Sequence, residues 1–237
     1  MSDTPTAPGR RKTVDLKAGR RAPLPAGDGE KSKRLSPERR EEVIVREAVG
    51  FFAEFGFEGQ TRELAKRLQI TQPLLYRYFP TKDALIERVY DEVFLRRWNP
   101  FWEEEIARAD RPLRDRLTSF YQDYSSVILS YEWVRLFTFA GLKGLDFNTR
   151  YLNLLNTRIF RLVIAELRVE FGQPGIAERD VTGMEIEAIW SLHASIFYLG
   201  VRKHIYNMPV DDIPAILRMK VSIFLDGVGA IIGKDDP

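Results

Sequence analysis

Residues 55–85 read FGFEGQTRELAKRLQITQPLLYRYFPTKDAL, and this stretch decides the fold. Leu64, Ala65 and Leu68 share one side of a short amphipathic helix from Thr61; a four-residue joint follows, then a second short helix from about Gln72 to Phe79, closed by Pro80. In that second helix Leu75 and Phe79 lie four apart and can lock onto Phe51, Phe52, Leu64 and Ile70. Gln72, Leu74, Tyr76 and Arg77 are left on other faces. Two short helices joined by a tight turn, the second opening on polar residues, make a helix-turn-helix, whose second helix lies in the major groove of DNA. Upstream, Ser36-Pro37-Glu38 supplies an N-cap, a proline at the first helical position and an acid in the first turn. Ile44, Ala48, Phe51, Phe52 and Phe55 then form one helical stripe, and Gly56 supplies a left-handed stop.

The residues Phe55-Gly56-Phe57, Leu64-Ala65, Leu68-Gln69-Ile70-Thr71-Gln72, Leu75-Tyr76-Arg77-Tyr78-Phe79 and Lys82-Asp83-Ala84-Leu85 together resemble the DNA-binding domain of tetracycline-repressor-type (TetR/AcrR family) regulators. The resemblance covers about residues 40 to 90. Family members usually carry Thr where Gln60 stands and Gly where Gln69 stands, so both positions depart from the pattern. A left-handed Gln69 would cost on the order of 1 kcal/mol.

Side-chain chemistry assigns roles within this unit. Gln72 has the amide geometry for a bidentate contact to adenine, Arg77 can reach guanine or a phosphate, and Leu74 can touch a thymine methyl. Thr71 can cap the helix or bond a phosphate, and the Tyr76 and Tyr78 hydroxyls can grip the backbone. Pro73 falls in the first turn, where a missing N–H is harmless, and stiffens the start of the reading helix. Lys82 sits in the first turn of the next helix, where the macrodipole favours anions, so a bound phosphate would account for it; the plain alternative is a solvated lysine. Arg62 is likewise a cation at a positive helix end, a DNA contact or an exposed arginine beside Glu58 or Glu63. Gln60 or Thr61 is expected to cap that helix.

Working outward, residues 1–35 are rich in Pro, Gly, Ser and basic residues with isolated leucines, and read as a disordered basic segment. Lys31-Ser32-Lys33-Arg34 lie near enough to the reading unit to act as an arm in the minor groove or as a solvated tail. Residues 1–40 hold eleven Lys or Arg against five acids, which leaves 25 against 29 for the rest, although the net charge of the whole chain is only +2. The N-terminal domain is read as 36–82 and a larger helical domain as 83–237. Helical patterns run from Lys82 to about Arg108, Leu113 to Ser130, Glu132 to Leu142, Thr149 to Phe171, Met184 to Tyr206 and Ile213 to Ile232, separated by breakers such as Asn99-Pro100 and Gly172-Gln173-Pro174-Gly175. The expected fold class is all-α: a three-helix helix-turn-helix domain followed by a helical bundle.

The 237 residues hold no Cys and two His, which excludes thiolate chemistry and cysteine metal sites, and no metal or cofactor is expected. No Ser/His/Asp set or carboxylate pair stands out as catalytic. No apolar run approaches membrane-spanning length, so the expected compartment is the cytoplasm. The bundle is crowded with aromatics, most of them core. With a few polar groups among them they have the makings of an apolar pocket, and Trp98, Tyr124, Phe137, Asn153, Trp190 and His193 are its candidate lining. Asn156 and Arg161 are further polar candidates. His193 lies on an apolar helix face and needs a hydrogen-bond partner if buried.

In the last helix Ile216, Ile223, Phe224 and Gly227 form one stripe, and Leu217, Val221, Leu225, Val228 and Ile232 another. One stripe has its own bundle and the other wants a partner. The family resemblance implies pairing through the last two long helices, with Gly200, Gly227 and Gly229 allowing close approach. It also implies a homodimeric repressor on an inverted-repeat operator in double-stranded DNA, released by a small, largely apolar effector. The alternatives are a ligand-independent DNA-binding protein of chromosome organisation or cell division, and a helical enzyme with an incidental motif.

Overall fold

The computed structural model describes residues 36–234, so the expectations for the basic segment before residue 36 lie outside the described residues. The order is α1 (Pro37–Phe55), α2 (Thr61–Arg67), α3 (Gln72–Tyr78), α4 (Lys82–Tyr90), α5 (Phe101–Ala107), α6 (Leu113–Ile128), α7 (Tyr131–Lys143), α8 (Phe147–Leu155), α9 (Arg161–Glu170), α10 (Gly183–His204) and α11 (Ile213–Val228). The described residues are helices and their connections, and the fold is all-α. Ser36 caps α1 by accepting from Arg39 N–H, with Pro37 behind it. Gly56 ends α1 at φ 72° and ψ 178°, a conformation suited to glycine, and a Cβ there would lie 3.3 Å from the Phe139 ring.

Two departures from the sequence pattern lie in the longest expected helices. The stretch from Lys82 breaks at 96–100 as Asn99-Pro100 foretells, but it first passes through a π-helical turn, Asp91–Leu95. The stretch from Thr149 contains a second such turn, Asn156–Phe160. Each π turn inserts a residue into the helical phase, and each carries a buried ring, Phe94 or Phe160, into the bundle core. Phe94 meets Tyr90, Trp133, Phe137 and Tyr151 at centroid distances of 5.1 to 6.1 Å.

The N-terminal helices are held by the bundle. Beyond its packing on α2 and α4, α1 packs on α7. Arg135 of α7 donates to the Ala53 and Glu54 carbonyls in the last turn of α1, which no intrahelical N–H reaches. Lys143 pairs with Glu58 just beyond. At the far end, Arg168 and Glu185 are both fully buried and paired through two hydrogen bonds of 2.8 and 2.6 Å. Arg168 also donates to the carbonyls of Pro174, Gly175, Arg179 and Asp180. Glu185 accepts from the N–H groups of Thr182 and Gly233. One ion pair thereby ties α9, the loop after it, the start of α10 and the residues following α11.

The stripes of α11 separate differently from the sequence reading. Phe224 is buried with Leu217, Val221 and Val228, whereas Met219 and Ile223 are 51% and 65% exposed. Gly200 and Gly229 are filled by their own chain, Val134 and Leu129 at the first and Phe171 at the second, so of the three glycines only Gly227 is open to an approaching surface. No described helix is long and apolar enough to cross a membrane.

Candidate nucleic-acid interface

The reading helix is set by two anchors and one hydroxyl. Leu75 and Phe79 are buried at 1% and 6% exposure, which fixes the rotation of α3 about its axis. That phase turns Pro73, Tyr76 and Arg77 outward, with Gln72 and Leu74 half-buried at the flanks and Tyr78 packed against the core. Thr71 caps α3, its hydroxyl accepting from Leu74 N–H at 3.3 Å. The turn before it closes through Gln69 at φ 55°, a left-handed non-glycine residue at the position where the sequence raised that cost.

Thr61 escaped the sequence reading in this role. It was expected as a possible cap for α2, but Gln60 occupies the cap position without a side-chain bond, and Thr61 is the first helical residue, buried at 7%. Its hydroxyl accepts from Gln72 Nε2 at 3.1 Å and bonds the Tyr76 hydroxyl at 3.0 Å. An amide nitrogen carries two hydrogens, so this bond orients Gln72 while leaving the second N–H and Oε1 for the bidentate pattern of adenine. The only local signal was a threonine eleven residues before a glutamine, which pattern reasoning does not connect.

The cations around α3 are distinguished by what they do not touch. Arg67 pairs with Glu47 and Glu54, and Arg88 with Glu41, Asp91 and Glu92. Among the described residues, Arg62, Arg77 and Lys82 make no ion pair, and Arg62 and Arg77 are exposed. Thr81 caps α4 by accepting from Ala84 N–H at 3.0 Å, which places half-buried Lys82 in the first turn beside the positive helix end. Lys82 also approaches Glu58, whose carboxyl is held below the usual range chiefly by the hydrogen bond and charge of Lys143, with a smaller share from Lys82.

Of the candidate effector residues, five converge on the aromatic core. Trp98 meets Tyr151 at 6.3 Å between centroids, Phe137 meets it at 6.4 Å, and Tyr124 and Trp190 approach His193 at 5.8 and 5.6 Å. The Tyr124 and Tyr151 hydroxyls share a 3.1 Å hydrogen bond. Asn153 does not join them: it is exposed on the outer face of α8, because Tyr151 and Leu155 take the inner one. Arg161 is likewise exposed, while Asn156 is half-buried. His193 is 5% exposed, and its Nδ1, like Nε1 of Trp133, has no hydrogen-bond partner among the described residues.

Burial pushes the His193 pKa down to about 4. Unfolding restores an ordinary value near 6.5, so this histidine's contribution to stability is full above pH 6.5 and is lost as pH falls towards 4. Between pH 7 and pH 5 it should withdraw about 2 kcal/mol. Urea unfolding at the two pH values should show that loss in the parent chain and a clearly smaller one in His193→Phe; equal losses would refute the assignment.

A buried three-helix head with an outward polar helix, joined to a helical bundle, defines the class of helix-turn-helix transcription regulators. Residues 44–89 match the family of bacterial regulatory proteins designated tetR. Structures with the same fold include a TetR-like transcriptional regulator from Rhodococcus sp. RHA1, 20% identical, covering 82% of this chain and 100% of its own at a TM-score of 0.58. A protein from Pseudomonas aeruginosa PAO1 described as a transcriptional regulator is 20% identical over 84% of this chain and 94% of its own, with a TM-score of 0.61. A tetR-family regulator from Streptomyces coelicolor is 16% identical over 83% of this chain and 84% of its own, with a TM-score of 0.55. No curated protein matches the sequence significantly. Residues 44–89 form a DNA-binding domain of the tetR family, and the described chain has the fold of TetR-type transcriptional regulators.

Proposed function

We propose that the protein is a homodimeric repressor that binds an inverted-repeat operator through α3 and leaves it when a small, uncharged, largely apolar effector enters the aromatic core. The observation that carries the DNA-binding part is the pairing of a rotationally locked α3 with the unpaired cations Arg62, Arg77 and Lys82 around it. Gln72 and Arg77 read base edges; Arg62, Thr71, Tyr76, Tyr78 and Lys82 hold phosphates; Pro73 and Leu74 shape the contact surface.

Release follows from a shift in population. An effector that prefers the state with the wrong spacing of the two reading heads moves the equilibrium by its difference in affinity between states. Trp98, Tyr124, Phe137, Trp190 and His193 are the residues proposed to meet it. Two mechanical links leave this core for the head: α4 with the π turn that follows it, which begins at Lys82 and carries Phe94 inward, and α7, which carries Trp133 and Phe137 inward and Arg135 onto the end of α1.

Selection of binding sites from random duplexes tests the reading. The expected product is a twofold-symmetric sequence with half-sites about 10 base pairs, or a multiple of that, between centres. Affinity for it should fall steeply with salt, in proportion to the phosphates engaged. Recovery of no symmetric sequence would overturn the proposal.

A further inference from the structure

The outward face of α10 is self-complementary about a single point. Met184, Glu187, Ser191, Ala194, Tyr198, Arg202 and Ile205 recur at three- and four-residue spacing along one side of the helix, and none is buried. Around a centre between Ala194 and Ser195, six of the seven fall into three matched pairs: Met184 with Ile205, Glu187 with Arg202, and small Ser191 with the 50% exposed ring of Tyr198.

We propose that this face pairs antiparallel with the same face of a second copy, with the twofold axis between Ala194 and Ser195, so that Glu187 of each protomer bonds Arg202 of the other. The inference rests on the dimer reading above and fixes its register. Glu187 and Arg202 cannot satisfy each other within one chain: fifteen residues of helix separate them by about 22 Å. Neither makes an ion pair among the described residues, although both sit on a face that is otherwise apolar or small.

The neighbouring helix strengthens the match. Lys220 of α11 lies close enough to Arg202 that, after its own burial, the arginine's charge lowers its pKa. The C-terminal half of the face is therefore a positive cluster awaiting an acid, which the antiparallel copy supplies as Glu187. On α11, which packs on α10, Met219 and Ile223 are exposed and Gly227 is open, apolar and small surface on the helix next to the proposed seam.

Charge reversal in the full chain tests the register. Glu187→Arg and Arg202→Glu homodimers each set two pairs of like charges face to face, and each should raise the dimer dissociation constant at least about tenfold by sedimentation velocity. An equimolar mixture of the two variants restores both pairs in the heterodimer, so a tagged variant should capture its untagged counterpart with an affinity within about threefold of the parent dimer. A single chain carrying both substitutions should also dimerise as the parent does, which answers the question if either single variant folds poorly. Single variants that dimerise like the parent, or a mixture no tighter than its components, would overturn the register while leaving the dimer intact. A parent chain that is monomeric at micromolar concentration would instead overturn the dimer reading itself.

Discussion

Replacing Gln72 and Arg77 together by alanine should weaken operator binding by about three orders of magnitude, while far-ultraviolet dichroism and the melting temperature stay close to the parent. Each side chain is half-exposed or exposed, so the fold loses little. A base-edge contact contributes about 1–3 kcal/mol, and two such losses in each of two half-sites easily reach that range. The single variants should separate by kind: Gln72→Ala relaxes base preference at one position per half-site, whereas Lys82→Ala weakens all sequences alike and reduces the salt slope. Thr61→Val should resemble a mild Gln72→Ala, since it removes only the hydroxyl that orients the amide and the Tyr76 phenol. Gel-shift titration at each of several salt concentrations measures all four. Operator affinity of the double variant within about threefold of the parent would remove α3 from the interface.

The second large effect concerns stability. Arg168→Met should cost about 3–5 kcal/mol, because it leaves the Glu185 carboxylate buried without its counter-charge and strips four loop carbonyls of their donor. For a chain of this size that corresponds to a melting temperature lower by roughly 10 °C or more. Burial by itself would raise the Glu185 pKa, but the Arg168 hydrogen bond, the Thr182 and Gly233 N–H groups and the arginine's charge together bring it down to about 2. A carboxyl with an ordinary value near 4.5 in the unfolded chain therefore stabilises the fold fully above that pH, and the contribution is lost as pH falls from 4.5 to 2. Acid titration of stability should show this window in the parent, below the His193 window and overlapping it only near pH 4 to 4.5, and should lose it in Arg168→Met. A variant melting within 2 °C of the parent would show the ion pair to be dispensable.

These expectations draw unequally on sequence and structure. The reading unit was legible because its signals are local: Ser36 and Pro37 open α1, Pro80 closes the unit, and the spacing of Leu75 and Phe79 fixes which side of α3 faces the head. The aromatic core was legible as a composition, and five of its six candidate residues do meet there. Asn153 lies outside that core because Tyr151 and Leu155 take the inner face of α8, a helix phase that composition does not give.

By itself the sequence determined an all-helical chain, the order and approximate limits of its helices and the position of the reading helix, because caps, breakers and apolar spacing act within a few residues of the chain. Only the tertiary structure decided that Thr61 holds Gln72 and Tyr76, that Arg168 meets Glu185, that Arg135 clamps α1, and that Phe224 turns inward while Ile223 turns out. Those outcomes depend on the rotation of each helix against neighbours that lie from eleven to more than eighty residues away. Local propensity leaves that rotation open; the packing of side chains against one another closes it.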